Sequence, residues 1–245
     1  PDRPTHWIYK RLMQGKEATV FYSKAADNFH NPASYFEALG KLTGVLALRL
    51  REGQWRQAEG VVYDEYDPVV HVIEKPWSEA RFYDASVDWG YTNAGVILVW
   101  AIDGDGRAVC VREIYQSQRL VEGWWVDEAK KLDDEFHIQT WICDPSEPAY
   151  IQTFRNAGLN AVPAINDILP GVQAVKQRLK VQEDGRPRIA FLTTRQTSAP
   201  DVILAERKVP TSVTEEFPAY VWPKNKVGDK AEVPVKEHDH GADCA

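Results

Sequence analysis

The chain alternates short apolar runs of period two with longer stretches of period near 3.6, and the alternation is clearest after residue 79. Residues 81–88, with Phe82, Ala85 and Val87, read as a strand; 95–102 reads as a fully buried strand and 108–116 as a third. Asp103-Gly104-Asp105-Gly106 between the last two is a hairpin signal. Residues 120–136 place Leu120, Trp124, Val126, Ala129 and Leu132 at helical spacing, and 139–143 forms a short apolar strand ending at Asp144. A helix over 148–156 with Gly158 at its end, a strand over 160–164, a helix over 168–179 and a strand over 188–192 follow. The order βββαβαβαβ predicts an α/β unit, a mixed sheet flanked by helices. Residues 1–78 are less regular: a strand-like piece at 6–11, an amphipathic helix over 32–42 with Asn31 as cap before Pro32, and a strand-like 69–73. Pro76 marks the expected boundary, dividing the chain into 1–78, a small partial α/β segment, and 79–245. The tail at 224–239 reads as a charged loop.

Composition narrows the class. With 245 residues, 44% hydrophobic and 27% charged, the chain can bury a sizeable core without disulfide staples. Cys110, Cys143 and Cys244 are odd in number and widely spaced, neither a disulfide framework nor a CxxC metal site, which suggests a reducing compartment. The longest apolar run, 94–102, is far short of the ~20 residues of a membrane helix. The chain opens at Pro1 and its sole methionine is Met13, so it is expected to be a piece of a longer protein. A net charge of −7 argues against tight nonspecific nucleic-acid binding.

The chemistry lies in acidic residues at strand ends. Asp88 closes the first strand and is followed by Trp89-Gly90; Asp144 closes 140–143 and is followed by Pro145-Ser146-Glu147-Pro148. Taken singly, Asp88 is compatible with an Asx-turn and Asp144 with a helix N-cap. His238-Asp239-His240-Gly241-Ala242-Asp243 could supply metal ligands or be a solvated tail. Jointly the three aspartates follow the layout of an RNase H-like sheet, where carboxylates from separate elements converge and need divalent cations to share a site. Two Mg²⁺ or Mn²⁺ ions, about 3.5–4 Å apart, suit hard oxygen ligands and phosphodiester hydrolysis.

With these residues in place, the chain resembles the large terminase subunit of tailed double-stranded DNA bacteriophages. The resemblance rests on Val87-Asp88-Trp89-Gly90-Tyr91-Thr92-Asn93, Cys143-Asp144-Pro145-Ser146-Glu147-Pro148, Asp167-Ile168 with Gly171-Val172, and Lys236-Glu237-His238-Asp239-His240-Gly241-Ala242-Asp243. His6-Trp7-Ile8-Tyr9-Lys10, residues 35–50, Gly53-Gln54-Trp55 and Glu59-Gly60 are similar to the end of that family's motor domain and its linker. In the family an ATPase drives genome DNA into an empty capsid and an RNase H-like nuclease cuts the concatemer. The resemblance implies Asp88, Asp144 and Asp243 as metal-binding carboxylates, with Asp239 and His240 assisting the second metal or the proton transfer and Glu147 orienting a metal water. It implies double-stranded DNA as substrate, bound without sequence specificity. It also implies portal and small terminase subunit as partners of the full-length protein, and host cytoplasm, transiently the procapsid portal, as location. No Gly-x-x-x-x-Gly-Lys-Ser/Thr loop occurs, so ATP belongs to the missing motor domain and no ATPase activity is expected. The family continues past the third aspartate with an apolar helix, whereas this chain stops at Ala245, so Asp243 is expected on a frayed end.

Charge is uneven. Residues 169–210 carry eight basic and four acidic side chains, and residues 120–148 two basic and eight acidic. Lys176, Arg178, Lys180, Arg186, Arg188 and Arg195 are therefore the candidate DNA-contacting residues, with 186–195 a possible hairpin beside the site. Two other readings stay open. Asp88–Asn93 also resembles the first phosphate turn of actin and sugar-kinase ATPases, although a second aspartate–glycine phosphate turn is not found, Asp103–Gly106 lying between hairpin strands. A catalytically silent docking domain is the other.

Overall fold

The computed structural model describes residues 8–14, 18–40, 42, 44–54, 60–196, 200–223, 233–237 and 239–245. Residues 6 and 7 of the expected strand-like piece, and most of the expected tail loop, lie outside them. Tyr9–Gln14 forms a helical turn, where a strand-like piece was expected. The helices α1 (Ala33–Gly40) and α2 (Gly44–Leu50) follow, and among the described residues ahead of 60 no strand occurs. Ahead of α1, the Asn31 side chain accepts from Asn28 Nδ2 at 3.2 Å.

Beyond residue 60 come α3 (Pro68–His71), β1 (Val72–Ile73), β2 (Phe82–Asp88), β3 (Gly95–Ile102) and β4 (Ala108–Gln116). Next are α4 (Val126–Phe136), β5 (Thr140–Cys143), α5 (Pro148–Asn156), β6 (Ala161–Pro163), α6 (Ile168–Leu179) and β7 (Ile189–Leu192). Three further helices close the chain: α7 (Val202–Glu206), α8 (Val213–Ala219) and α9 (His240–Asp243). The mixed seven-stranded sheet has the order β1-β7-β4-β3-β2-β5-β6. β2, β3 and β4 form the expected antiparallel meander, while β5 and β7 join its two sides in parallel. The expected 120–136 helix is divided: Gly123, at φ 98, and Glu122 break the helical backbone, and regular helix begins at Val126.

Period-two alternation builds both cores. In β3, Val96, Leu98 and Trp100 join one apolar cluster, and Ile97, Val99 and Ala101 the other. The first cluster lies under α6, α8 and α9 (Val175, Leu179, Phe217, Ala242), and the second under α4 and α5 (Ala129, Leu132, Ile151, Phe154). Being buried on both faces, β3 reads as a continuous apolar run.

Residues ahead of the expected boundary at 78 pack onto the sheet. β1 pairs in parallel with β7, Val62 and Tyr63 are buried against Phe217 and Tyr220, and the His71 imidazole Nε2 donates to the Leu179 carbonyl at 2.7 Å. Two-residue β1 is specified by this packing rather than by its own pattern. Asp67 caps α3, its Oδ1 accepting the Val69 N–H at 2.9 Å. Replacing Asp67 by Ala is expected to cost about 1 kcal/mol in urea unfolding; an unchanged midpoint would show that the cap contributes nothing.

Candidate active site

Alternation fixes where Asp88 points. Ala85 and Val87 enter the α4/α5 cluster, so Ser86 and Asp88 face the opposite side, where Ser86 Oγ accepts from Trp100 Nε1 at 2.9 Å. β2 and β5 are parallel with Val87 opposite Cys143, so the next residues, Asp88 and Asp144, stand side by side. The Asp144 N–H donates to the Val87 carbonyl at 2.9 Å, and Asp144 Oδ1 accepts the Ser146 N–H at 3.0 Å, its Oδ2 the Ser146 hydroxyl. Trp89 Nε1 donates to the Asp144 carbonyl at 3.0 Å and its ring stacks edge-on against Phe154. Gly90 is required by the turn after β2, because a Cβ there would stand 2.0 Å from the Ala94 carbonyl oxygen.

The third aspartate arrives from the chain's last helix. α9 lies against β2, β3 and α8 with Gly241, Ala242 and Cys244 buried, and Cys244 Sγ donates to the Val96 carbonyl. The expected frayed end is thus replaced by a packed one. Asp88, Asp144, Asp239, His240 and Asp243 all line one cleft of about 440 Å³, together with Asn93, Ser146, Asn166, Lys236 and others. His238 lies outside the described residues, and Glu147 is exposed and not part of the cleft lining. A smaller cleft of about 220 Å³ adjoins, sharing Asn93, Lys236, Asp239 and His240, and adds Arg207. Sequence reasoning gave Asn93, Asn166, Ser146 and Lys236 no role of their own, since polar loop residues carry no periodic signal.

The electrostatics follow from crowding acids in a half-dry cleft. The Asp88 side chain is only 12% exposed, and burial raises its pKa, opposed by the hydrogen bond from His240 Nδ1 to its Oδ2 at 2.8 Å; Asp144 and Asp239 raise it further. Burial works against a charged His240, yet the bond to Asp88 and the Asp88 charge outweigh it, so its pKa is raised. Asp243 is pushed up to about 7, by desolvation first and then by Asp239 and Asp88. Several hard-oxygen donors, with like-charge repulsion to relieve and no thiolate among them, fit Mg²⁺ or Mn²⁺. Among the described residues no three His, Cys, Asp or Glu side chains are closed on a common point.

The expected DNA-contacting residues lie elsewhere. β7 runs parallel to β4 and so to β2, which puts its start, at Arg188, at the end of the sheet opposite Asp88. α6 runs the other way, from Ile168 in the cleft, carrying Arg178 and Lys180 to that far end. There Arg178 donates to the Gly106 carbonyl, and Arg188 pairs with Asp184 at 2.9 Å. The 182–186 turn connects α6 to β7 and makes no hairpin, and Arg186 stacks over Trp77. Lys176 is buried against Asp64 and Glu65, and Arg195 against Glu113 at 2.7 Å. The three cysteines are free and buried, and Asp103–Gly106 is the β3–β4 turn, far from Asp88. No helix among the described residues is long and apolar enough to cross a membrane.

No protein-family model and no curated protein matches the sequence. Among solved structures, the large terminase of a thermophilic bacteriophage is similar at 24% identity and TM-score 0.76, over 100% of this chain and 58% of that one. The P22 large terminase nuclease domain is similar at 13% identity and TM-score 0.54, over 76% of this chain and 89% of that one. The nuclease domain of the SPP1 large terminase g2p, solved with bound Mn, is similar at 15% identity and TM-score 0.50, over 75% and 94%. The chain therefore spans less than three-fifths of the thermophilic phage's protein, and at these identities what it shares with the phage large terminases, nuclease domain included, is their fold.

Proposed function

We propose that this chain corresponds to the nuclease-bearing part of a phage large terminase subunit and is a metal-dependent endonuclease that cuts concatemeric DNA during genome packaging. One observation carries the reading: Asp88, Asp144 and Asp243, from three separate elements, line a single cleft in this fold. Asp88, Asp144 and Asp243 would hold two Mg²⁺ or Mn²⁺ ions, which supply an activated water and stabilise the leaving oxygen of a phosphodiester. The bound Mn of the SPP1 domain supports that choice of metal. The chain's own part is positional. The β2–β5 register sets Asp88 beside Asp144, Ser146 orients the Asp144 carboxylate, and His240 holds one Asp88 oxygen. With its raised pKa, His240 is suited to keep or hand over a proton next to Asp88. Lys236 and Arg207, which line the two adjoining clefts, are the better candidates for the DNA backbone, taking phosphates without reading bases. Portal, small subunit and a host-cytoplasmic site of action belong to the same proposal.

The test is plasmid nicking by the purified chain with Mn²⁺ or Mg²⁺, against EDTA, with Asp88→Ala as control for a contaminating nuclease. Metal-dependent nicking that the variant lacks is the expected result. A metal-loaded protein that leaves plasmid intact, or an Asp88→Ala protein that cuts equally well, would overturn the proposal.

A further inference from the structure

Glu216, in α8, has no solvent exposure, and both its oxygens are engaged. Oε1 accepts the Tyr115 hydroxyl at 2.5 Å; Oε2 accepts the Gly241 N–H at 2.5 Å and the Ala242 N–H at 3.0 Å. Those amides belong to the first turn of α9, where a helix leaves donors without intrahelical partners. Asp239, at the N-cap, makes no side-chain capping bond, so α8 supplies the acceptor that the local sequence does not. The approach is close: a Cβ on Gly241 would stand 2.7 Å from Glu216 Oε2 and 2.8 Å from Val213 Cβ. α8 is itself gripped from β4, because Glu113, two residues before Tyr115, accepts the Val213 N–H at 2.6 Å and pairs with Arg195. A run of buried hydrogen bonds therefore passes from the middle of the sheet through α8 to the helix that carries His240 and Asp243.

We propose that Glu216 is a positioning residue that fixes α9 against β2, setting His240 and Asp243 relative to Asp88. That Asp88 and Asp243 are metal ligands rests on the nuclease reading; the anchoring of α9 does not. The Glu216→Leu variant of the full chain removes both acceptors. In Glu216→Gln the side-chain oxygen can take both N–H groups while its NH₂ donates to the Tyr115 oxygen, so it serves as the rescue. Two quantities are read in each: hydrogen exchange of the Gly241 and Ala242 amides by NMR, and Mn²⁺ affinity by calorimetry. In Glu216→Leu, exchange of both amides is expected to quicken at least about tenfold and the Mn²⁺ Kd to rise about 10–100-fold, with Gln recovering most of both. If the Leu variant does not fold, Tyr115→Phe carries the test, with smaller changes of the same sign. A folded Leu or Phe variant with wild-type amide exchange overturns the inference, as does a Gln variant as damaged as the Leu one. Wild-type protein that neither binds Mn²⁺ nor nicks DNA would instead overturn the nuclease reading, and the amide exchange would then decide the anchoring alone.

Discussion

Alanine at Asp88 or at Asp144 is expected to lower metal-dependent plasmid nicking by roughly 10²–10³-fold, as several kcal/mol of transition-state stabilisation are lost with a metal ligand. The two variants should differ in everything except this loss. Asp88 is largely but not fully buried at the end of β2 with its pKa raised, so its charge is held at a cost in the metal-free protein. Asp88→Ala should therefore fold with unchanged or higher thermal stability. Asp144 organises its own turn through the Ser146 N–H and hydroxyl, so Asp144→Ala should lose about 0.5–1 kcal/mol as well as activity. Arg178→Ala and Arg188→Ala serve as the spatial control, since their partners Gly106 and Asp184 lie at the far end of the sheet. Those variants should cut within about twofold of wild type, as is usual for surface changes away from a site. Equal losses at Arg188 and Asp88 would mean that the substrate lies across the opposite edge and that the cleft is not where cutting occurs.

That control follows from what linear charge counting cannot convey. Eight basic residues between 169 and 210 look like one surface in sequence. In space α6 runs away from the cleft and β7 runs back towards it, so the basic residues around the turn between them collect at the end of the sheet opposite Asp88, and Lys176 and Arg195 are engaged in buried ion pairs. The meander, by contrast, was legible because β2 alternates, β3 is a continuous apolar run of strand length and the Asp-Gly-Asp-Gly turn separates β3 from β4. Asp88 and Asp144 were legible for a related reason: each ends an apolar strand, and parallel pairing brings such ends together. β1 and α7 to α9 were not, being short elements whose existence depends on what they pack against. Glu216 shows the same limit most sharply. Next to Glu215 in an amphipathic stretch it looks like a solvated acid, and nothing nearby reveals that Tyr115 and Gly241, each more than 20 residues away, close around it. The expected frayed end failed because that contact was invisible.

The metal-free protein is expected to lose thermal stability between about pH 5 and pH 8, and Mn²⁺ to restore more of it at pH 8 than at pH 5. Burial raises Glu216 from 4.5 to about 7, against the lowering effect of Tyr115 and His240. Between those values the unfolded chain has released a proton that the native state keeps, so stability falls as pH rises through the window. For a group with no solvent exposure this amounts to roughly 2–3 kcal/mol. His240 acts in the same direction: its folded pKa is raised above 6.5 mainly by Asp88, so its contribution is present below 6.5 and lost as pH passes the folded value. Asp103 and Asp201 have lowered pKa values, and the stability they add is already complete by pH 5, so neither reverses the trend. For a chain of this size the drop corresponds to roughly 5–10 °C in Tm. Divalent cation competes with protons for Asp88 and Asp243, so its stabilisation, which grows with the ratio of free metal to Kd, increases as pH rises. Calorimetric scans in EDTA and in Mn²⁺ at pH 5, 6.5 and 8 read both effects, and Glu216→Gln, with no proton to lose there, should show a shallower decline in EDTA. A Tm in EDTA that stays level or climbs from pH 5 to pH 8 would show that these buried groups are not held in the protonation states their surroundings impose.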